Sequence, residues 1–209
     1  MISAQQALDQ LREGNRRFVA DVGKPRARVS GGRRIELVTD QEPIAIILGC
    51  SDARVPAEIV FDQGLGDLFV IRVAGNIVAP SQVGSVEFAA SRFGTRLVVV
   101  LGHTQCGAIL ATIEELVQPA DHKSRNLRSI VDRVRPSVEG LLRTELRNDP
   151  AALVREAVRS NVRASVDHLR HGSAILEQLG QTDGLMIVGA EYSLETGVVE
   201  FFDYSTAPM

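Results

Sequence analysis

The chain has 209 residues, of which 44% are hydrophobic and 23% charged, a balance that fits one α/β domain with a sizeable core. Its formal net charge of -3 and its lack of tryptophan argue against a nucleic-acid-binding surface, which would need basic patches or aromatic stacking platforms. No apolar run approaches the roughly 18 residues of a membrane span, and the amino-terminal sequence has no apolar signal-peptide core. We therefore expect a single cytoplasmic domain over residues 1–209 that binds neither nucleic acid nor a membrane.

The amino-terminal segment predicts a helix followed by a basic connector. Ser3 and Gln6 have the spacing of a capping box, and apolar residues then recur at helical spacing, so residues 4–19 are predicted to be helical. Residues 23–34 are rich in glycine and arginine. They form either a solvated connector or an arm that lies along a partner subunit, so we treat residues 1–34 as an amino-terminal helix and arm.

Four short apolar runs, each continuous rather than alternating, predict strands that are buried on both faces of a parallel sheet. These runs are Ile44–Leu48, Leu68–Ile71, Leu97–Leu101 and Leu185–Val188. Helical patterns lie between them, over Ser85–Phe93, Cys106–Val117 and a long region from Asn126 to Leu179. A last run, Val198–Phe202, follows so closely that it predicts an antiparallel edge strand. The expected fold is α/β: a central, mostly parallel sheet of four strands plus an antiparallel edge strand, flanked by helices, with an amino-terminal helical arm.

Both cysteines of the chain directly follow predicted strands. Cys50 follows the first strand, and Cys106 follows the third, with His103 three residues before it. Because ligands bind at the carboxyl ends of strands in open parallel sheets, neighbouring strands would bring two thiols and one imidazole together. This soft donor set favours Zn²⁺, and three protein ligands with a fourth position open are typical of a catalytic zinc site.

The two cysteines are also compatible with roles that involve no metal. The thiols can be buried and inert beside a core histidine, since free cysteine is often buried. They can also form a redox pair, although the sequence has no C-x-x-C motif and a redox pair leaves Asp52 and Arg54 unexplained. A guanidinium paired with a carboxylate holds the carboxylate ionised and oriented. Beside zinc, Asp52 would then accept a hydrogen bond from a metal-bound water.

At these residues the sequence resembles the β-class carbonic anhydrases. The family pattern C-x-D-x-R stands at residues 50–54, and H-x-x-C stands at residues 103–106. The likeness extends to further segments, at residues 11–15, 62–72, 74–76, 84–88 and 192–197. It therefore covers nearly the whole chain, and it rests on paired motifs that are specific.

The resemblance implies a zinc enzyme that reversibly hydrates carbon dioxide to bicarbonate and a proton by means of zinc-bound hydroxide. One Zn²⁺ per chain would be bound by Cys50, His103 and Cys106. Asp52, held by Arg54, would accept a hydrogen bond from the hydroxide; in a closed form, Asp52 would instead become the fourth zinc ligand. The resemblance also implies a homo-oligomer, a dimer or a tetramer, with the substrate pocket at the subunit boundary.

The resemblance assigns a second group of residues to the substrate. Gln41 matches a glutamine that hydrogen-bonds substrate, Phe69 and Phe88 match an apolar wall of the carbon dioxide pocket, and Gly107 belongs to the same substrate site. The alternative for the two phenylalanines is ordinary core packing. Some family members also bind regulatory bicarbonate beside a tryptophan, but Ile47 occupies that position here, which argues against this form of regulation.

Two further functions fit the same zinc site. One is the hydrolysis of carbonyl sulfide or carbon disulfide on the same fold, which the ligand set does not distinguish from carbon dioxide hydration. The other is a non-catalytic zinc-binding interaction module, which would have no use for an oriented carboxylate. The proton that hydration releases needs a route out, and His122, His168 and His171 are the candidates for a shuttle.

Overall fold

A five-stranded sheet lies at the centre of the computed structural model, which describes residues 2–20, 31–118 and 124–202. The strands are β1 (Ala45–Gly49), β2 (Leu68–Arg72), β3 (Leu97–His103), β4 (Met186–Tyr192) and β5 (Val199–Phe202). Their order is β2-β1-β3-β4-β5; the first four are parallel, and β5 pairs antiparallel with β4. The predicted α/β fold, four parallel strands with an antiparallel edge strand, is confirmed.

Helices flank the sheet and follow the strands in the chain order that an α/β fold requires. They are α1 (Ala4–Val19), α2 (Gly31–Glu36), α3 (Ala57–Val60), α4 (Pro80–Arg92), α5 (Gly107–Val117), α6 (Arg125–Glu139), α7 (Pro150–His171) and α8 (Ala174–Thr182). The predicted capping box at the start of α1 is present, with reciprocal hydrogen bonds between Ser3 and Gln6. None of the described helices is both long and apolar enough to cross a bilayer.

The observed helices differ from the predicted ones in three ways. The region predicted to be helical from Asn126 to Leu179 divides into α6, α7 and α8, with short 3₁₀ turns between α6 and α7. Helix α4 begins at Pro80, five residues before the predicted start, because proline fits the first helical position. Helices α2 and α3 were not predicted, and α2 begins inside the segment predicted to be a connector or an arm. Residues 23–30 of the predicted arm lie outside the described residues.

Apolar layers cover both faces of the sheet. Every residue of β1 and of β3 is buried, as expected for the central strands of a parallel sheet. On one face, Leu8 and Leu11 of α1 pack with Phe61 against the sheet; on the other, Val162 and Val166 of α7 pack with α4 and α8. The two layers cover the faces of the sheet, so a site can form at its edge, where β1 and β3 end.

Asn15 ties α1 to two distant loops. Its side chain, 5% exposed, donates to the carbonyls of Val60 and Gly197 and accepts from the backbone N–H of Val199. We expect Asn15→Ala to lower the free energy of unfolding by about 3 kcal/mol, because each buried group left without a partner costs about 1–3 kcal/mol. Urea unfolding at fixed protein concentration measures this change. Asn148→Ala, at an exposed position, is the control; equal unfolding midpoints for the two variants would contradict the prediction.

Candidate metal centre

The exits of two adjacent parallel strands bring the predicted donor residues together. Strands β1 and β3 are neighbours, with Gly49 paired to Leu101. Cys50 directly follows β1, and His103 is the last residue of β3. Cys106 is the N-cap residue of α5, so the turn from β3 into that helix carries the second thiol back toward the first. The three side chains therefore converge because of topology rather than sequence proximity.

The spacing of the three donor atoms fits a zinc ion. The sulfur atoms of Cys50 and Cys106 are 4.0 Å apart, and all three donor atoms lie within 4.8 Å of one another. Two sulfurs that bind one tetrahedral zinc at about 2.3 Å lie about 3.8 Å apart. A disulfide would require about 2.05 Å, and both cysteines are free. Across the described segments, no other cluster of three or more such side chains could hold a metal ion.

The imidazole of His103 is oriented as a metal ligand would be. His103 is 0% exposed, and its Nδ1 donates to the carbonyl oxygen of Thr104 at 2.9 Å. That bond leaves Nε2 as the atom with a free lone pair, and Nε2 is buried without a hydrogen-bond partner. Burial lowers the pKa of His103, but its interaction with the Cys50 thiolate outweighs burial and raises the pKa above its ordinary value. The Nε2 lone pair is therefore available to a metal ion or to a hydrogen-bond donor.

The two thiols share a hydrogen bond and have unequal affinities for the proton. The thiol of Cys106 donates to Cys50 and lowers the pKa of Cys50 to about 4, although burial opposes this change. The same bond, together with burial, raises the pKa of Cys106 well above its usual range, although the backbone N–H groups of Ala108 and Ile109 oppose the rise. Two sulfurs that share one proton form a pair that releases this proton when a metal ion binds.

Asp52 lies at the edge of the donor cluster and is held by Arg54. The Arg54 guanidinium donates to both carboxylate oxygens, at 2.9 and 2.7 Å, and the Arg54 backbone N–H donates at 3.0 Å. This fork keeps the pKa of Asp52 well below its usual range. Asp52 Oδ2 is 3.8 Å from His103 Nε2. The carboxylate therefore lies beside the donor cluster while it is paired with Arg54.

Two groups that sequence reasoning missed hold the loop carrying Cys50 and Asp52. Arg72, at the end of β2, donates from Nε to the Cys50 carbonyl at 3.1 Å and from Nη2 to the Asp52 carbonyl at 2.6 Å. The backbone N–H of Gly75 donates to Cys50 Sγ at 3.3 Å. Arg72 lies in a segment that shares the family resemblance, residues 62–72, but nothing in that segment marks it as a support of the Cys50 loop. A backbone donor leaves no signal in side-chain patterns.

The four residues assigned to substrate lie in different places. Gly107 is the first residue of α5 and adjoins Cys106. Phe69 pairs in register with Ile46, four residues before Cys50, so it lies about 13 Å along the sheet from the donor cluster. Phe88 packs on Phe69 and is 54% exposed. Gln41 lines a surface cavity together with Phe93, whose ring packs against Phe69 and Phe88. Only Gly107 adjoins the metal centre of its own chain.

The candidate shuttle histidines are also placed apart from one another. His168 lines a cavity between α4, α6 and α7. His171 is exposed at the carboxyl end of α7, where its Nε2 lies 3.6 Å from Asp167. His122 lies outside the described residues. Within the described part of the chain, no hydrogen bond or ion pair joins His168 or His171 to the donor cluster. The role of proton shuttle therefore stays a prediction for all three histidines.

Comparison with known proteins agrees with the fold and identifies the family. The sequence profile of the carbonic anhydrase family matches residues 45–199. "Carbonic anhydrase 2" of Mycobacterium tuberculosis is 41% identical over 191 residues, which are 90% of this chain and 87% of that protein. The β-carbonic anhydrase CafA of Aspergillus fumigatus superposes with a TM-score of 0.74 at 23% identity, over 98% of this chain and 92% of that one. A structure from work on two tetrameric β-carbonic anhydrases of Sordaria macrospora gives a TM-score of 0.71 at 22% identity, over 83% and 87% of the two chains. The chain belongs to the β-class carbonic anhydrases.

Proposed function

We propose that Cys50, His103 and Cys106 hold the zinc of this enzyme, which reversibly hydrates carbon dioxide to bicarbonate and a proton. The observation that carries this ligand assignment is the buried Nε2 of His103, which has no hydrogen-bond partner and lies within 4.8 Å of both thiol sulfurs. A buried polar atom is costly unless it meets a partner. Zinc held by these three residues would supply hydroxide near neutral pH, because it lowers the pKa of water.

Asp52 and Arg54 are proposed to orient the attacking oxygen. Because Arg54 keeps Asp52 ionised, the carboxylate only accepts hydrogen bonds, and it borders the donor cluster. An O–H group that donates to Asp52 turns its lone pair away from the carboxylate and toward the carbon of carbon dioxide. Asp52 is thus proposed to contact the reacting group, whereas Arg54 acts through Asp52 as a positioning residue.

Zinc quantification followed by a stopped-flow assay of carbon dioxide hydration tests this function. We expect about one zinc per chain, as three ligands per chain imply, and hydration far above the uncatalysed rate. The family match favours this activity over hydrolysis of carbonyl sulfide or carbon disulfide. A zinc-loaded chain that hydrolyses carbonyl sulfide without hydrating carbon dioxide would overturn the proposal. A zinc-loaded chain that does neither would be the non-catalytic module instead.

A partner subunit is proposed to complete the substrate pocket. Because Phe69 lies about 13 Å along the sheet from Cys50, neither it nor Phe88 can line the pocket of its own metal centre. A second copy would bring Gln41, Phe69 and Phe88 to that centre. The exposed aromatic ring of Phe88 supports this arrangement, since an exposed phenylalanine on a helix is suited to an interface. The Sordaria macrospora proteins are described as tetrameric, and we propose a dimer or a tetramer here.

Sedimentation velocity tests this assembly. We expect the wild-type chain to sediment as a dimer or a larger species at micromolar concentration, and Phe88→Glu to shift it toward a monomer, because burying an unpaired charge is costly. Val117→Glu is the control, since Val117 is 58% exposed on α5 and is assigned no role in the pocket. A fully active wild-type monomer at that concentration would contradict the shared pocket.

The proposed setting of the enzyme is a reducing compartment. Both cysteines are free, and their proposed role requires thiolates rather than a disulfide. This supports a cytoplasmic location for a protein that we propose to be one domain over residues 1–209, with residues 1–34 as its amino-terminal helix and arm. Carbon dioxide and bicarbonate are its proposed small-molecule substrates.

A further inference from the structure

Two polar side chains interrupt the buried apolar face of α7. Asn161 and Ser165 are 2% and 5% exposed. The other buried residues of the helix are all apolar: Leu153, Ala157, Val158, Val162, Val166 and Leu169. Asn161 and Ser165 are four residues apart, so both project from the same side of the helix. Because buried polar groups are costly without hydrogen bonds, their partners indicate their role.

Both side chains donate to the same turn. Asn161 Nδ2 donates to the Gly75 carbonyl at 2.8 Å, and Ser165 Oγ donates to the Asn76 carbonyl at 3.1 Å. Asn161 and Ser165 thus hold two consecutive carbonyls of the short 3₁₀ turn Ala74–Asn76. The turn itself contributes one further bond, from the Asn76 N–H to the Val73 carbonyl.

The conformation of this turn is unusual and needs such support. Gly75 and Asn76 both have positive φ, 71° and 42°, which places consecutive residues in the left-handed region. Strained backbone of this kind persists only where the surrounding structure holds it. A side chain at Gly75 would meet Ala108 at 3.0 Å, so the turn is packed against α5 as well. In this conformation the Gly75 N–H points at Cys50 Sγ, 3.3 Å away.

We infer that Asn161 and Ser165 are positioning residues of the metal centre, which hold the Gly75 N–H on the Cys50 sulfur. An N–H donor stabilises negative charge on a thiolate, and groups that orient a ligand from outside typically change metal affinity when they are removed. The inference rests on the proposed role of Cys50 as a zinc ligand. It extends the site from the strand exits to α7.

Two measurements on the full-length protein test this inference without relying on activity. The first is the zinc dissociation constant, by competition with a chelator. The second is the thiolate-to-cobalt absorption band of the cobalt-substituted protein, which moves to longer wavelength when a thiolate loses a hydrogen-bond donor. The variants are Asn161→Ala, Ser165→Ala and the rescue Ser165→Thr, which keeps a hydroxyl. Val162→Ala is the matched control, because Val162 is fully buried on the same helix and its truncation removes packing alone.

We expect Asn161→Ala to weaken zinc binding roughly tenfold, the lower end of the range for outer groups around a metal site, and to shift the cobalt band. Ser165→Ala should change the zinc affinity and the cobalt band in the same direction as Asn161→Ala, but by less. Ser165→Thr should restore both quantities to wild-type values. Val162→Ala should lower thermal stability without moving either readout. If Asn161→Ala does not fold, the two Ser165 variants decide the question.

Two outcomes would overturn the inference, and they have different causes. If Asn161→Ala and Ser165→Ala lose stability as Val162→Ala does but keep the wild-type zinc affinity and cobalt band, the two residues serve only the fold. If the wild-type protein itself shows no thiolate-to-cobalt band, Cys50 and Cys106 are not metal ligands, and the proposed zinc site fails together with this extension of it.

Discussion

Cys106→Ser is expected to bind zinc well over 100-fold more weakly than the wild-type chain and to lose nearly all carbon dioxide hydration. A neutral hydroxyl replaces one of two thiolates, so the loss should exceed the 10–100-fold that follows removal of an outer group around a metal site. Cys106 caps the start of α5, where serine is a favourable residue, so the helix should still form. Zinc content by mass spectrometry after dialysis, and stopped-flow hydration, measure the two losses.

Thr112→Val is the matched control for that variant. Thr112 is fully buried on α5, and its hydroxyl bonds only to the Ala108 carbonyl of its own helix. Its removal should leave both the zinc content and the hydration rate close to wild type. If Cys106→Ser retains full zinc occupancy while it folds normally, Cys106 is not a ligand, and the assignment of the whole cluster is wrong.

The strands of this fold are predictable because both faces of the sheet are covered. Burial on both faces leaves continuous apolar runs, and all four predicted parallel strands overlap the observed ones. Their carboxyl ends are less predictable. Strand β3 continues through Gly102 and His103 because these residues still pair with Glu191 and Tyr192 of β4, and such pairing uses backbone groups that are the same for any side chain.

The helices after residue 124 show where local pattern fails. Helices α6, α7 and α8 have similar apolar periodicity, so the pattern predicts one long helical region. Only one or two residues at each helix end mark where the region is interrupted. Asp149 and Pro150 do mark the start of α7 as their types suggest. Gly140 and Gly172 cap the carboxyl ends of α6 and α7. Glycine is common at helix ends, but the continuous apolar periodicity hides these two ends in the sequence.

The three donor residues of the metal centre can be predicted from the sequence, whereas the groups that hold them cannot. The placement of Cys50, His103 and Cys106 follows from strand order, and strand exits in a parallel sheet converge at one edge. The groups that hold these ligands act through the backbone. Arg72 donates to two backbone carbonyls, and the Gly75 backbone N–H donates to Cys50 Sγ. Backbone groups are the same whatever side chain their residue carries. Side-chain patterns therefore predict the donor set but not its supports.

Arg54→Ala is expected to lower kcat/KM for carbon dioxide hydration about 100-fold, the cost typical of a reacting group displaced by about 1 Å. The variant should keep its zinc, because Arg54 hydrogen-bonds Asp52 and none of the three donor atoms. Arg54→Lys should be intermediate, since an ammonium keeps the charge but cannot reproduce the two-point fork. Arg16→Ala, which removes an exposed arginine paired with Glu13 on α1, is the control and should leave kcat/KM unchanged.

The pH dependence of this loss distinguishes orientation from ionisation. Arg54 holds the pKa of Asp52 well below its usual range, so Asp52 is ionised in the wild-type protein at every pH above about 4. Removal of Arg54 lets that pKa rise toward the ordinary value of about 3.9, which still leaves Asp52 ionised at pH 6. The ratio of kcat/KM between Arg54→Ala and wild type should therefore be constant from pH 6 to pH 9. A ratio that falls steadily as the pH drops from 9 to 6 would mean that Arg54 acts by setting the charge of Asp52. Unaltered hydration would mean that the pair has no orienting role. Loss of zinc would mean that Arg54 supports metal binding, contrary to the expectation that the variant keeps its zinc.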